Sequence, residues 1–485
     1  MLFNSLEFLL FFPFVTLLFF ILPHRYRWIL LLISSYFFYG FWKWEYIFLL
    51  LFSTSVDYYA GLIIGSTETK WKKKFYLIIS LLTNLGVLFV FKYFNFFLEI
   101  FQSVFSSSDF LSEIPTVDLL LPIGISFYTC QTISYSIDVY RGKRPPEKHF
   151  GKFALYVSFF PQLVAGPIER STRLLPQFFK TQFFDWDRIR SGLLLILWGF
   201  FKKVVIADRV GIYVDQVFSE PDIFSSLQLI IAAYFFTYQI YCDFSGYTDI
   251  AIGSARVLGF ELIENFRRPT VVRTISEFWQ KWHISLTKWM TDYLYQPLAK
   301  KVKTKNNRLV ITLFVFIVIG LWHGAAWNFV FFGVYSGLTL IIGSFTRKKR
   351  LEFYRKHVYP KWDQIPKIHK MLQIIFVFHS FVIGAILFRS TSFENITNYF
   401  AGIFSPTSFS LKSIVVYQFD LYEILLAFVF IIALEAGEWF RAHFNAEEKI
   451  LNLRIQYRWA VYLTLFYIII LFGEFGLTPF IYFRF

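Results

Sequence analysis

The sequence predicts an all-α polytopic membrane protein, and three observations carry that prediction. Of the 485 residues, 56% are hydrophobic and 22% aromatic, and the mean hydropathy is +0.51. Continuous apolar runs close to the roughly 20 residues a spanning helix needs recur along nearly the whole chain. Short basic loops separate them, the pattern of cytoplasmic connections under the positive-inside rule. Outer-membrane barrels are excluded, because barrel strands alternate apolar and polar residues and these runs do not. No repeat, linker or low-complexity stretch divides the chain, so residues 1–485 read as a single integral membrane domain.

The net charge of +15 raises the question of nucleic acid. The cations lie in short loops between apolar runs, and 66 Phe suit lipid-facing surfaces better than base-stacking platforms. The expected surroundings are membrane lipid and no nucleic acid. Cys130 and Cys242 fall in apolar stretches with no metal-ligand spacing and no disulfide framework, so both read as buried inert thiols.

Taken in order, the apolar segment from Leu2 to Leu22 has no basic leader or cleavage pattern and reads as a retained helix. Loops His24–Arg27, Lys70–Lys74 and Arg141–Lys148 are basic, whereas Ser106–Asp118 carries Asp109, Glu113 and Asp118. Placing the basic loops in the cytoplasm gives a multi-pass protein of the inner membrane with an external N-terminus. Helices are then expected over about 3–22, 27–42, 45–65, 75–101 and 119–140. Phe150–Arg173 is apolar and then broken by Pro161, Gly166 and Pro167, which fits a short in-plane or re-entrant helix. Further helices follow at about 190–217, 227–258, 371–389, 421–440 and 457–473. Between them, Glu261–Arg308 is polar and basic, and Leu309–Phe345 forms a hairpin returning to the basic Arg347–Arg350. The C-terminal Phe480–Phe485 (FIYFRF) is expected outside.

Inside the hairpin lies GLWHGAAWN, Gly320–Asn328, between the apolar runs Leu309–Ile319 and Phe329–Ile342. Each run is shorter than the roughly 20 residues that cross a bilayer, which places His323 at a break between two half-helices. An ionisable group at that depth is costly and marks function by default. Imidazole titrates near neutrality, so the chemical reading is a general base taking a proton from a hydroxyl. The plain alternative is a structural histidine bonded to a neighbouring helix.

His283 lies in Ser276–Tyr293, SEFWQKWHISLTKWMTDY. Read as one helix, this stretch puts Trp279, Trp282, His283, Leu286, Trp289, Met290 and Tyr293 on one face. Gln280, Lys281, Lys288 and Thr291 fall away from it, as in an amphipathic helix at the cytoplasmic interface. On chemistry alone His283 reads first as an interfacial histidine satisfied by a carbonyl, and second as a partner reaching the site from below. In DFSGYTD, Asp243, Ser245 and Asp249 sit mid-helix, where carboxylates need partners. They orient a histidine, bind a cation, or form an ion pair with Arg256 or Lys202. Tyr128, Gln131, Tyr135 and Asp138 recur at helical spacing and line a cavity or a helix interface, since they cannot face lipid. His379 has no supporting cluster and reads as structural. No phosphate-cradling Gly loop, serine elbow or zinc motif occurs, so neither a metal nor a bound cofactor is expected.

Together, FWQKWHISLTKWMTDYLYQPL (Phe278–Leu298) and GLWHGAAWNF (Gly320–Phe329) resemble the membrane-bound O-acyltransferase family, as does the separation between His283 and His323. The likeness extends to LLPIGISFYTCQTISYSIDVYRG (Leu120–Gly142), FFPQLVAGPIER (Phe159–Arg170) and CDFSGYTDIAIG (Cys242–Gly253). The terminal FIYFRF is similar to the motif of the bacterial alginate O-acetyltransferase branch. Gln280 and Lys281 replace an Arg-rich pair, Cys130 an aromatic and Arg484 a Gln. The resemblance implies a ring of about 10–12 transmembrane helices, with re-entrant and interfacial helices around a central catalytic tunnel. It implies His323 as the catalytic residue and His283 as its essential partner. Asp243, Ser245, Asp249, Trp282, Trp322, Asn328, Tyr128 and Gln131 would then support the site or line the tunnel. It further implies a cytoplasmic thioester donor such as acetyl-CoA, a periplasmic partner enzyme, and O-acetylation of an exported polysaccharide such as alginate. The alternatives are D-alanyl transfer to teichoic acid, or a transporter using broken helices without acyl chemistry. The absence of an inverted repeat weighs against the transporter.

Overall fold

A computed structural model describes residues 1–105, 114–358, 367–405, 414–476 and 479–483. Asp109, Glu113 and Arg484 lie outside the described residues. The described chain is helical, with a single isolated bridge between Val416 and Phe419. Among the described residues six helices are long and apolar enough to cross a bilayer: Tyr46–Ser66, Lys70–Val104, Lys305–His323, Trp327–Val358, Lys367–Arg389 and Ile455–Phe472. Ser226–Val257 and Leu421–Phe444, 32 and 24 residues long, have the length but carry buried polar and charged side chains, among them Asp243 and Glu438, which pair with lysines.

The helices group into two compact units, one mainly of Met1–Leu197 with Tyr247–Ile263, the other mainly of Trp198–Gly246 with Glu264–Ile481. In the first, Tyr46–Ser66, Lys70–Leu88 and Ile125–Tyr140 pack around the fully buried Asp57. Its carboxylate accepts from Ser80 Oγ at 2.5 Å, from Asn84 Nδ2 at 2.8 and 2.9 Å, and from Ser136 Oγ at 3.3 Å. Small hydroxyl and amide side chains solvate the charge where water cannot. Phe150–Arg173 forms three short helices, Phe150–Ser158, Phe160–Leu163 and Ser171–Leu174. Phe153, Leu155, Val157 and Phe159 are buried within this unit.

In the second unit, Thr304 Oγ1 caps the helix that ends at His323 by accepting from Asn307 N at 3.2 Å. The hairpin expectation holds, but its arms differ from the sequence reading. Polar residues at the arm ends are helical too, so each arm reaches spanning length and His323 is the last residue of a full arm. The 19 residues of the first arm put His323 about 27 Å along the axis from the basic start at Lys305. The arms approach closely at glycine. A Cβ on Gly320 would lie 2.1 Å from the Phe329 carbonyl oxygen, and one on Gly324 would lie 2.0 Å from the Phe329 ring.

Candidate active site

The expected single helix over Ser276–Tyr293 does not form. Two short helices, Ile275–Lys281 and Ile284–Met290, meet at His283, whose φ of 41° and ψ of 54° are left-handed. Such a conformation costs a residue with a Cβ roughly 1–2 kcal/mol. Thr274 starts the first helix by accepting from Glu277 N at 3.1 Å, while Glu277 reaches back to Arg273 N at 2.9 Å, much like a capping box. The kink turns the chain so that Trp279, Trp282, His283, Ile284, Ser285, Leu286 and Met290 are all buried, a wider set than one helical face supplies.

The kink brings the two histidines together. Their ring centroids are 6.2 Å apart, with Trp322 at 5.4 Å from His283 and 5.1 Å from His323. His283 is 1% exposed and His323 3%, so neither meets bulk solvent. Aromatic rings complete the enclosure. Phe244 meets His283 edge-on at 4.6 Å, and Phe388 and Phe332 lie 5.3 and 6.0 Å from His323. Burial, reinforced by the neighbouring His323, holds His283 well below its ordinary value, so its imidazole is neutral at physiological pH. Trp282 turns toward Phe278, Phe266 and Phe381 and walls the kink. Asn328 donates to the Phe388 carbonyl at 2.9 Å, which ties down the ring that packs on His323.

DFSGYTD contributes differently from the sequence reading. Asp243 pairs with Lys203 at 2.5 Å and accepts from Ile481 N at 2.7 Å, while Lys203 also reaches Asp208 at 2.8 Å. The sequence had offered Lys202 or Arg256. Residues Phe201–Ala207 form a wide π-helical turn, which sends consecutive lysines to different carboxylates, and Lys202 meets Glu438 at 2.9 Å. Arg256 donates to Ser191 Oγ at 2.6 Å. Between the two polar residues that drew attention, Asp243 and the buried Ser245, it is Phe244 that touches a histidine. Asp249 is half-buried and belongs to the first unit. Tyr128 and Gln131 also lie there, on a helix buried on nearly every side. Gln131 Nε2 donates to the Tyr156 carbonyl at 2.5 Å and its Oε1 accepts from Gln162 at 3.1 Å, a helix-interface role. His379 has Nδ1 2.7 Å from the Ile375 carbonyl and Nε2 2.6 Å from Tyr234 Oη.

The arrangement offers two adjacent imidazoles on separate elements, one of them neutral and both buried. Such a pair can move a proton off a hydroxyl. Phe244, Phe332 and Phe388 escaped the sequence reading because apolar residues in an apolar chain carry no local mark.

A family model described as membrane-bound O-acyltransferase (MBOAT) matches residues 147–390, a span that contains both histidines. A probable alginate O-acetylase of Azotobacter vinelandii is 35% identical over 436 residues, 89% of this chain and 84% of the relative. A peptidoglycan O-acetyltransferase of Helicobacter pylori is 35% identical over 342 residues, 64% of this chain and 63% of the relative. A teichoic acid D-alanyltransferase of Bacillus subtilis is 26% identical over 296 residues, 58% of this chain and 72% of the relative.

Proposed function

This chain belongs to the membrane-bound O-acyltransferase family, and from that premise we propose that it passes acetyl from a cytoplasmic thioester, such as acetyl-CoA, across the membrane for O-acetylation of an exported polysaccharide. It is a multi-pass membrane O-acyltransferase. The observation that carries the finer reading is the buried His283–His323 pair, 6.2 Å between centroids. His323 takes the proton of an acceptor hydroxyl as its oxygen attacks the thioester carbonyl. The tetrahedral adduct collapses, the C–S bond breaks, and the thiolate leaves and is protonated. His283, neutral and one ring away, orients the reacting groups. Aromatic walls keep water from competing for the thioester.

The basic loops support a cytoplasmic donor face, since Lys and Arg attract the phosphates of coenzyme A. By the same charge asymmetry the N-terminus lies outside, in an inner-membrane topology. A periplasmic partner enzyme would receive the acetyl group and place it on the polymer. Relatives named for acetylation align over more of this chain than the D-alanyltransferase does, 89% against 58%, which favours acetyl over D-alanyl. His323→Ala should abolish ester acetate on the exported polymer with protein abundance unchanged. Acetylation that survives the substitution rejects the assignment.

A further inference from the structure

His283 occupies the N-cap position of the helix Ile284–Met290, yet its side chain makes no capping bond to that helix. The first N–H groups of a helix need acceptors when buried. Here they come from Asn265, eighteen positions upstream of His283. The Asn265 carbonyl accepts from Ile284 N at 2.9 Å, and Asn265 Oδ1 accepts from Ser285 N at 3.1 Å and from Ser285 Oγ at 2.9 Å. On the other side of the kink, Arg267 N donates to the Lys281 carbonyl at 3.0 Å. Asn265 and Ser285 are both buried. The intervening Phe266 ring packs 5.0 Å from Trp282 and 4.9 Å from Phe244, the ring that meets His283.

The bracket does two things. It holds a residue with a Cβ in the left-handed region, which that residue would otherwise leave. It also caps the helix from outside, which spares the imidazole that task and leaves it turned toward Trp322 and His323. We propose that Asn265 is the positioning residue for His283, setting the kink that presents the imidazole to the reacting groups. This rests on the acyl-transfer reading above. Asn265 Nδ2 has no acceptor among the described residues, so an Asp at this position can keep every bond of the bracket.

The test uses the full-length protein in membrane vesicles, with radiolabelled acetyl-CoA as donor and rates expressed per folded enzyme from size exclusion in detergent. Asn265→Ala should lower kcat by about 10- to 100-fold, as expected for a misplaced reacting group, with KM for acetyl-CoA changed less than about threefold. Asn265→Asp, which restores the acceptor, should recover kcat to within about fivefold of the parent. Ser285→Ala removes one bond of the bracket and should lower kcat by about two- to fivefold, a milder variant that guards against failure to fold. The proposal is overturned if Asn265→Ala and Ser285→Ala both keep the parent kcat, if Asp is no better than Ala, or if the loss lies entirely in KM or in folded yield. His323→Ala is measured alongside. Activity surviving that change removes the catalytic assignment of His323, whereas its loss beside an unaffected Asn265→Ala removes only the positioning role.

Discussion

The hairpin turn Gly320–Asn328 and the kink Trp282–Ser285 deliver their histidines to one place on backbones of opposite character. His323 ends a regular helix, and its position follows from how closely two arms pack at Gly320 and Gly324. His283 sits in a left-handed turn that local propensity disfavours. One imidazole is therefore set by steric fit and the other by a strained turn that its surroundings hold. Tight packing tolerates no added volume, whereas a strained turn tolerates any residue able to adopt it.

The largest expected effect breaks the packing side of this contrast. Gly320→Val drives a side chain into the Phe329 carbonyl, 2.1 Å from the new Cβ, so the arms cannot close and folded protein should be lost. Abundance and monodispersity in detergent measure it, and a normal yield would show that the arms can separate.

The next change tests whether buried charge near the site is as exacting as packing. Asp243→Asn leaves Lys203 with one carboxylate where it had two, and should cost about 1.5–3 kcal/mol as a lost charge-assisted contact. Asp57→Asn, among hydroxyl and amide partners, should cost clearly less, because no buried cation loses a partner. Equal losses in thermal midpoint would contradict that distinction.

The strained side is sharpened by His283→Asn. Asn adopts left-handed φ more readily than most residues, so the kink should persist and folded yield should match the parent. Acyl transfer should fall by about 100-fold or more. A variant that loses yield and activity together would mean that the imidazole builds the kink.

The smallest effect concerns a carboxyl outside both histidine segments. Glu169 accepts from Ile263 N, and burial pushes it from its ordinary 4.5 up to about 7. Folding therefore favours its protonated form. Its stabilising contribution is complete below about pH 4.5, falls as pH rises, and is gone above about pH 7, roughly 3 kcal/mol across the window. Glu169→Gln should flatten the fall of thermal midpoint between pH 5 and pH 8, and curves parallel to the parent would refute the account.

How much was legible varies by residue. The hairpin around His323 could be read directly, because apolar runs, a Gly-flanked break and basic ends are local signals. The arms were read as too short because polar arm ends such as Lys305–Arg308 look like loop residues, yet they continue the helix. The kink at His283 was hidden, since the pattern from Trp279 to Tyr293 satisfies a continuous helix. That Asp243 needs a partner followed from its place in an apolar run. That the partner is Lys203 depends on a π-helical turn, and the sequence carries no sign of it.

Composition and spacing by themselves determined a helical membrane protein with two histidines forty positions apart, one at the turn of a hairpin. Those properties follow from transfer of apolar side chains out of water and from short-range periodicity, which the chain carries locally. Only tertiary structure decided that the two rings meet at 6.2 Å, that Asn265 brackets the kink, and that Phe244 and Phe388 close the space. Each of those outcomes depends on contacts between distant segments, whose energies no local pattern encodes.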